Sequence, residues 1–227
     1  MSMYPRVGGR LLRPTSRMIE LGSSLFALHG KVCELTPLER VLVAVFYKEP
    51  DRVPVIPFII GAARRMTGAS YRDFSLDPES AAEAYIEAID IMGVDALYNI
   101  LDLSVETAYF GQEVVYPPSS TPYPNYRNPV ISSPEDCERL EVFDPQTSPR
   151  MGMAIEQAGI LAKKARLRYP VMGFTFGPLG ILVMIRGAQD LFLDCLKCPE
   201  KVKVDLEIVT EVLLDYVRAQ CDRGWTR

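Results

Sequence analysis

Two carboxylates stand where a strand-like run gives way to a helix-like one. Asp102 directly follows the apolar run 95–101, and Glu106 comes four residues later, so one turn of helix places both side chains on one face. A pair of carboxylates at the end of a strand suits proton transfer to or from a bound substrate. The plainer readings are a capping Asp102 for the next turn and a solvated surface Glu106. A second candidate lies further on, where Gly173, Gly177 and Gly180 surround Pro178. Glycines at a strand end let a ligand approach the backbone. Their spacing is not the phosphate-binding G-x-G-x-x-G pattern, and a tight strand-to-helix turn accounts for them equally well. Tyr123 and Tyr126 in a proline-rich stretch can contact a ligand or simply pin the loop. Cys195 and Cys198 form a C-x-x-C pair, but redox or metal chemistry needs a suitable site or further ligands nearby. None is visible, so the pair reads as structural. Cys33, Cys137 and Cys221 carry no signal. His29 is the single histidine, has no partner nearby in sequence and reads as inert, and no metal site is expected.

Composition narrows the setting. The chain has 227 residues, 48% of them hydrophobic, enough for one sizeable core. The net charge of −4 shows no clustered positive surface of the kind nucleic acid requires. The longest apolar runs, 53–63 and 177–185, are interrupted by proline or glycine and fall short of the roughly 20 residues of a membrane helix. The five cysteines suggest no disulfide framework, and no secretory signal is seen. The expectation is a soluble, cytoplasmic protein with no nucleic-acid and no membrane partner. Residues 1–35 differ from the rest: Arg6, Arg10, Arg13, Arg17 and Lys31 face only Glu20 and Glu34. That stretch reads as a mobile N-terminal extension or an early start codon, with a transit peptide as the alternative.

The elements that must position the candidates are marked by their starts. Thr36-Pro37-Leu38-Glu39 is a capping box with proline at the first helical position, opening a helix to about residue 47. Asp77-Pro78-Glu79 opens a helix over 78–92, and Ser133-Pro134-Glu135-Asp136 a short one. The spacing predicts further helices over 149–168 and from 199 to about 221, the last with a buried stripe of Val202, Leu206, Val209, Leu213 and Val217. Between them lie short apolar runs at 53–59, 95–101 and 170–175. Continuous apolar strands alternating with amphipathic helices predict a parallel sheet covered by helices. Residues 112–116 and 129–131 read as a small hairpin inserted after the second strand, with the proline-rich 117–129 between them as an irregular surface loop. In such a sheet, the loops after residues 59, 101 and 175 build one rim.

These segments also carry a family pattern. Thr36-Pro37-Leu38-Glu39-Arg40-Val41 with Asp51-Arg52-Val53-Pro54-Val55 resembles the opening of the uroporphyrinogen decarboxylase superfamily, which includes the corrinoid-dependent methyltransferases. Asp95-Ala96, the run from Asp102 to Glu106, Phe110-Gly111-Gln112-Glu113-Val114, Gly173-Phe174-Thr175-Phe176-Gly177-Pro178 and Cys198-Pro199-Glu200-Lys201-Val202 are similar to later motifs in the same order. The resemblance spans roughly 35–222. It implies a partial TIM (β/α)8 barrel over 36–227 that is incomplete at its C-terminus, because the helix holding Tyr216 runs into Asp222-Arg223-Gly224 where a turn and a fourth strand are expected. It implies Asp102 as the catalytic residue, with Phe58, Glu106, Gly173, Phe174, Gly177 and Pro178 contacting substrate.

Within the superfamily, the decarboxylases carry an arginine pair directly after the first strand, to hold the substrate's many carboxylates. Here Ile59, Ile60, Gly61 and Ala62 fill most of that stretch, and Arg64 and Arg65 come later. The decarboxylase tyrosine that follows the third strand falls on Met184. The methyltransferase branch fits better: a methyl group passes from methylcobalamin on a corrinoid-binding partner protein to a thiol or tetrahydrofolate. Thiol acceptors in that branch are activated by zinc held by a histidine and two cysteines late in the barrel, a set absent from this chain. The expectation is therefore methyl transfer, with no cofactor bound by this chain alone. A tetrapyrrole decarboxylase is the alternative. A catalytically inactive fragment or partner subunit, able to self-associate through an open sheet edge, is a third.

Overall fold

The computed structural model describes residues 6–7, 10–11, 15–136 and 140–225. The fold is α/β and mostly helical. Two short strands, β1 (Arg6–Val7) and β2 (Arg10–Leu11), pair antiparallel. Helix α1 (Ser16–His29) follows, capped by the Thr15 hydroxyl on the Met18 N–H, and packs against α2 (Pro37–Val45). The expected mobile extension thus contains an ordered helix. Its start was marked by Thr15, but its apolar spacing is only partly that of a helix facing a core. Helix α2 begins at the expected capping box, with both reciprocal hydrogen bonds between Thr36 and Glu39 present.

Residues 53–59 depart from expectation, since they form no strand ladder. Pro54 and Pro57 remove two of the N–H groups a ladder needs. The segment runs extended and is tied to the next one by side-chain chemistry. The Asp95 N–H donates to the Val55 carbonyl at 2.8 Å, and the Val55 N–H donates to the Asp95 carboxylate at 2.8 Å. That carboxylate also accepts from Arg40 at 2.7 Å and Arg52 at 2.6 Å, while Arg40 grips Asp51 through two further bonds. Arg40 and Asp95 are fully buried.

The short helices α3 (Arg64–Thr67) and α4 (Tyr71–Leu76) lead into α5 (Pro78–Met92), which stops at Gly93 in the left-handed conformation, φ 62°. Then come β3 (Leu97–Asn99), α6 (Val105–Tyr109), β4 (Val114–Val115) and β5 (Tyr123–Pro124). The inserted hairpin exists with a different second arm: β4 pairs antiparallel with residues 123–124 of the proline-rich loop. Val130 instead donates to the Gln112 side chain, and Ile131 to the Ile185 carbonyl. Ser133 to Asp136 make a turn closed by the Asp136 carboxylate; residues 137–139, Cys137 among them, lie outside the described residues.

Helix α7 (Pro149–Ala165) is capped by Ser148 and ends where Arg166 and Leu167 turn left-handed. It feeds β6 (Val171–Gly173), which pairs parallel with β3 in the register Leu97–Val171, Tyr98–Met172, Asn99–Gly173. This is the parallel pair among the described residues. Helices α8 (Pro178–Arg186), α9 (Ala188–Lys197) and α10 (Pro199–Trp225) complete the chain. The core joins α5, α7, α8 and α10 to the sheet through Tyr85, Leu97, Met151, Leu161, Ile181 and Val209. The buried stripe of α10 includes Tyr216, whereas Val217, expected inside, is 37% exposed.

The Asp95 cluster sets a prediction. Removing Arg40 leaves Asp95 buried with half its counter-charge, so Arg40→Leu should lower unfolding free energy by about 3–5 kcal/mol. Hydrogen bonding to Arg40 holds the Asp51 carboxyl well below its ordinary value. Burial pushes Asp95 up, but Arg52, the Val55 N–H and Arg40 outweigh it, and its pKa is lowered too. Both depressed values stabilise the fold above the unfolded carboxylate pKa of about 4, and that stability is lost as pH falls below it. Urea titrations should therefore show wild type losing stability below about pH 4, with a shallower slope in Arg40→Leu. Equal slopes would count against the cluster.

Candidate functional site

The ends of β3 and β6 and the segment before α3 meet at one edge of the fold. Phe58 stacks on Tyr98, ring centroids 4.3 Å apart and 16° from parallel. Phe174 meets Phe58 edge-on at 6.0 Å, and Phe176 meets Phe174 edge-on at 5.2 Å. The result is a continuous aromatic rim built from three separate segments. Phe58 is 57% exposed, so the rim is open to a ligand. Of the residues predicted from sequence, Phe58 and Phe174 are brought together here.

The two carboxylates lie behind this rim. Asp102 is buried, its Oδ1 accepting the Ser104 N–H at 2.8 Å at the start of α6. Its Oδ2 is ion-paired with the Arg150 guanidinium from the first turn of α7. The capping reading therefore describes one of its oxygens, and an ion pair takes the other. Burial pushes the Asp102 carboxyl up, opposed by Arg150 and the Ser104 N–H. Glu106 is 1% exposed, which corrects the expectation of a solvated side chain. It lies on the inner face of α6, where the Phe176 N–H donates to its Oε1 at 3.1 Å. Burial raises its pKa to about 7. Tyr216 is buried nearby, its hydroxyl pushed well up by burial and by the Glu106 charge.

The turn over residues 173–178 is anchored from two sides. Gln220 of α10 accepts from the Phe174 N–H at 3.4 Å and donates to the Phe174 carbonyl at 3.1 Å. Its Oε1 also accepts from Asn99 Nδ2 at 2.9 Å, so Gln220 ties α10 to the ends of both strands. Glu106 holds Phe176. Gly173 is where Gln220 needs room, since an added Cβ would lie 3.3 Å from its Oε1. Gly177 has extended backbone and open space around it, so no conformational demand fixes glycine there, and Pro178 serves as the first residue of α8. Tyr123 and Tyr126 are exposed.

Sequence reasoning missed Tyr98, Asn99, Arg150, Tyr216 and Gln220. One signal was available for Arg150. A cation in the first turn of a helix opposes the helix dipole, and a buried carboxylate partner is the natural compensation. The Gln220 role had none, because a polar residue on a long helix marks no partner. Cys195 is exposed and Cys198 half-buried, both free thiols. His29 ends α1 on an exposed face. Among the described residues, no three His, Cys, Asp or Glu side chains group to hold a metal.

Comparisons with known proteins bear on the family and the fold. The profile of the uroporphyrinogen decarboxylase (URO-D) family matches residues 36–226. A uroporphyrinogen decarboxylase of Syntrophotalea carbinolica is 27% identical over 153 residues, covering 65% of this chain and 43% of that protein. Another, of Trichlorobacter lovleyi, is 26% identical over 200 residues, covering 82% and 56%. A solved methyltransferase from Methanosarcina mazei matches with a TM-score of 0.73 at 21% identity, covering 84% of this chain and 57% of that one. The chain thus spans about half the length of the curated relatives it matches.

Glu106 gives the prediction. A folded pKa near 7 against an unfolded value near 4.5 means that wild type is penalised as pH rises between the two and by a constant amount above. Glu106→Gln keeps the acceptor for the Phe176 N–H and removes the titration. Its stability relative to wild type should climb from about pH 4.5 to about pH 7 and then level off. Carboxyl carbon NMR should show Glu106 titrating near neutrality. A midpoint near 4.5 would refute this.

Proposed function

Because this chain belongs to the uroporphyrinogen decarboxylase family, we propose that it forms the opening strands of a (β/α) barrel and serves methyl transfer from a methyl-corrinoid protein to a thiol or tetrahydrofolate. The observation that carries this reading is the neutral aromatic rim of Phe58, Tyr98, Phe174 and Phe176. Such a surface holds an apolar or planar group by stacking. A polycarboxylate needs guanidinium clamps, and two of the guanidinia in this region are engaged within the protein. Arg150 pairs with Asp102, while Arg64 donates to the Ala69 carbonyl and lies 3.9 Å over the Tyr71 ring. The likeness to the solved methyltransferase is in keeping with this reading at the level of fold.

In this reading, the rim positions the acceptor while the corrinoid-binding protein docks over it. Net transfer breaks the cobalt–carbon bond, forms a sulfur–carbon or nitrogen–carbon bond and releases the acceptor's proton. In the same reading Glu106, whose pKa burial raises to about 7, takes that proton. Asp102 and Arg150 hold the loop that carries it. Zinc, where a thiol is the acceptor, would lower the thiol pKa. Tetrapyrrole decarboxylation is the second reading, supported by the names of the curated relatives and by Asp102 at the strand end.

Two measurements test this. Mixing the chain with a methylcobalamin protein and acceptor should convert the methylcobalamin spectrum to that of the demethylated cofactor, and Glu106→Gln should slow this roughly a hundredfold. Silence with both thiol and folate, alongside loss of carboxylates from uroporphyrinogen, would transfer the assignment to the decarboxylases. Val53 is 80% and Val55 52% exposed, and among the described residues β6 pairs with β3 alone. An open edge with an apolar face favours edge-to-edge association. Light scattering should give a mass above one chain that rises with concentration, and Val55→Lys should lower it. A concentration-independent monomer would overturn this.

A further inference from the structure

Helix α1 lies outside the family match and carries an apolar line that nothing in the described fold covers. Its inner face meets α2, with Ser23 fully buried and Ile19 and Phe26 half-buried. Met18, Leu21, Leu25 and Leu28 are 62%, 64%, 60% and 63% exposed, and Val32 just past the helix is 81% exposed. Steps of three and four residues put the four helical side chains in one row, about 15 Å long. Single exposed leucines are ordinary, whereas a continuous row marks a contact surface.

Charge indicates what the row meets. Arg6, Arg10, Arg13 and Arg17 precede or open the helix, with no acidic residue before Glu20, and Lys31 follows it. We propose that α1 docks on an anionic lipid surface, its apolar row entering the headgroup boundary and the arginines lying among the headgroups. A second copy is the poorer occupant. Parallel pairing sets one arginine-rich stretch beside the other, and antiparallel pairing sets Arg17 beside Lys31. A convex ridge of flexible side chains also fits a fluid apolar phase without needing a shaped groove. The sequence expectation of no membrane partner came from the lack of a spanning run. Among the described residues no helix is long and apolar enough to cross a bilayer, and a helix lying on the surface needs no such length. This inference is independent of the methyl-transfer reading, because α1 shares no residue with the rim.

The test is sedimentation of the full chain with vesicles. Binding should be at least roughly tenfold tighter to phosphatidylglycerol-containing vesicles than to phosphatidylcholine alone, and should weaken as salt rises. The double variant Leu25→Glu/Leu28→Glu should lose at least roughly tenfold in binding with an unchanged melting temperature, since both side chains are exposed. Replacing Arg13 and Arg17 with Gln should reduce binding and flatten its salt dependence. Wild type that binds neither vesicle, or a Leu25→Glu/Leu28→Glu variant that binds as well as wild type, would overturn the proposal. So would an oligomer in lipid-free buffer that this variant dissociates, which would make α1 a seam between copies.

Discussion

The buried Asp95 carboxylate is the point on which the sheet side of this protein turns. A parallel sheet normally registers its strands by a ladder of backbone bonds, and Pro54 and Pro57 deny the 53–59 segment that ladder. Asp95 substitutes for it: the residue gives its own N–H to Val55 and takes the Val55 N–H on its side chain. A carboxylate so buried is tolerable only with counter-charge, and Arg40 and Arg52 supply it from two directions. One residue thereby fixes α2, the 51–55 segment and the start of β3 against each other. Its effect reaches the far end of the strand, because the register it sets is the one that lays Phe58 flat on Tyr98.

This gives a physical meaning to the motifs that carried the family resemblance. Apart from the capping Glu39, the charged residues of the opening segments are Arg40, Asp51, Arg52 and Asp95, and they form one ionic cluster at the end of the strands opposite the rim. They are architectural. The rim, by contrast, is made of residues whose types carry little signal in isolation: two of its four aromatics, Tyr98 and Phe176, were not singled out from sequence. A family pattern dominated by such a cluster reports fold strongly and substrate weakly.

The same distinction separates what the sequence disclosed from what it concealed. Helix starts were legible because an N-cap is a local event: Thr36, Asp77 and Ser148 each bond an N–H within three residues. The parallel placement of 97–99 beside 171–173 was legible from continuous apolar runs between helices. Strand pairing was less so, because prolines redirected it: 53–59 lost its ladder, and β4 took 123–124 as partner in place of 129–131. Asp102 could be named from strand-end position, and Phe58 and Phe174 from the family resemblance. The burial of Glu106 could not, because it depends on Phe176 arriving from seventy residues away. Gln220 was hidden for the same reason, being 121 residues from Asn99.

What the rim can hold follows from how it is kept in place. Its central turn is gripped by Gln220 at Phe174 and by Glu106 at Phe176, both buried side chains on separate helices. Two such anchors leave Phe174 and Phe176 little freedom to make way for polar groups, so a ligand must suit the aromatic surface as it stands. Aromatic faces carry negative charge density and ring edges positive. A carboxylate laid against the open face of Phe58 is repelled, and one nearing a ring edge gains far less than from a guanidinium fork. A methyl-bearing or planar apolar group gains from the same contacts. In the proposed methyl-transfer reading, with Arg150 held by Asp102 and Arg64 turned onto Tyr71, the rim serves an uncharged reacting centre rather than a polyanion.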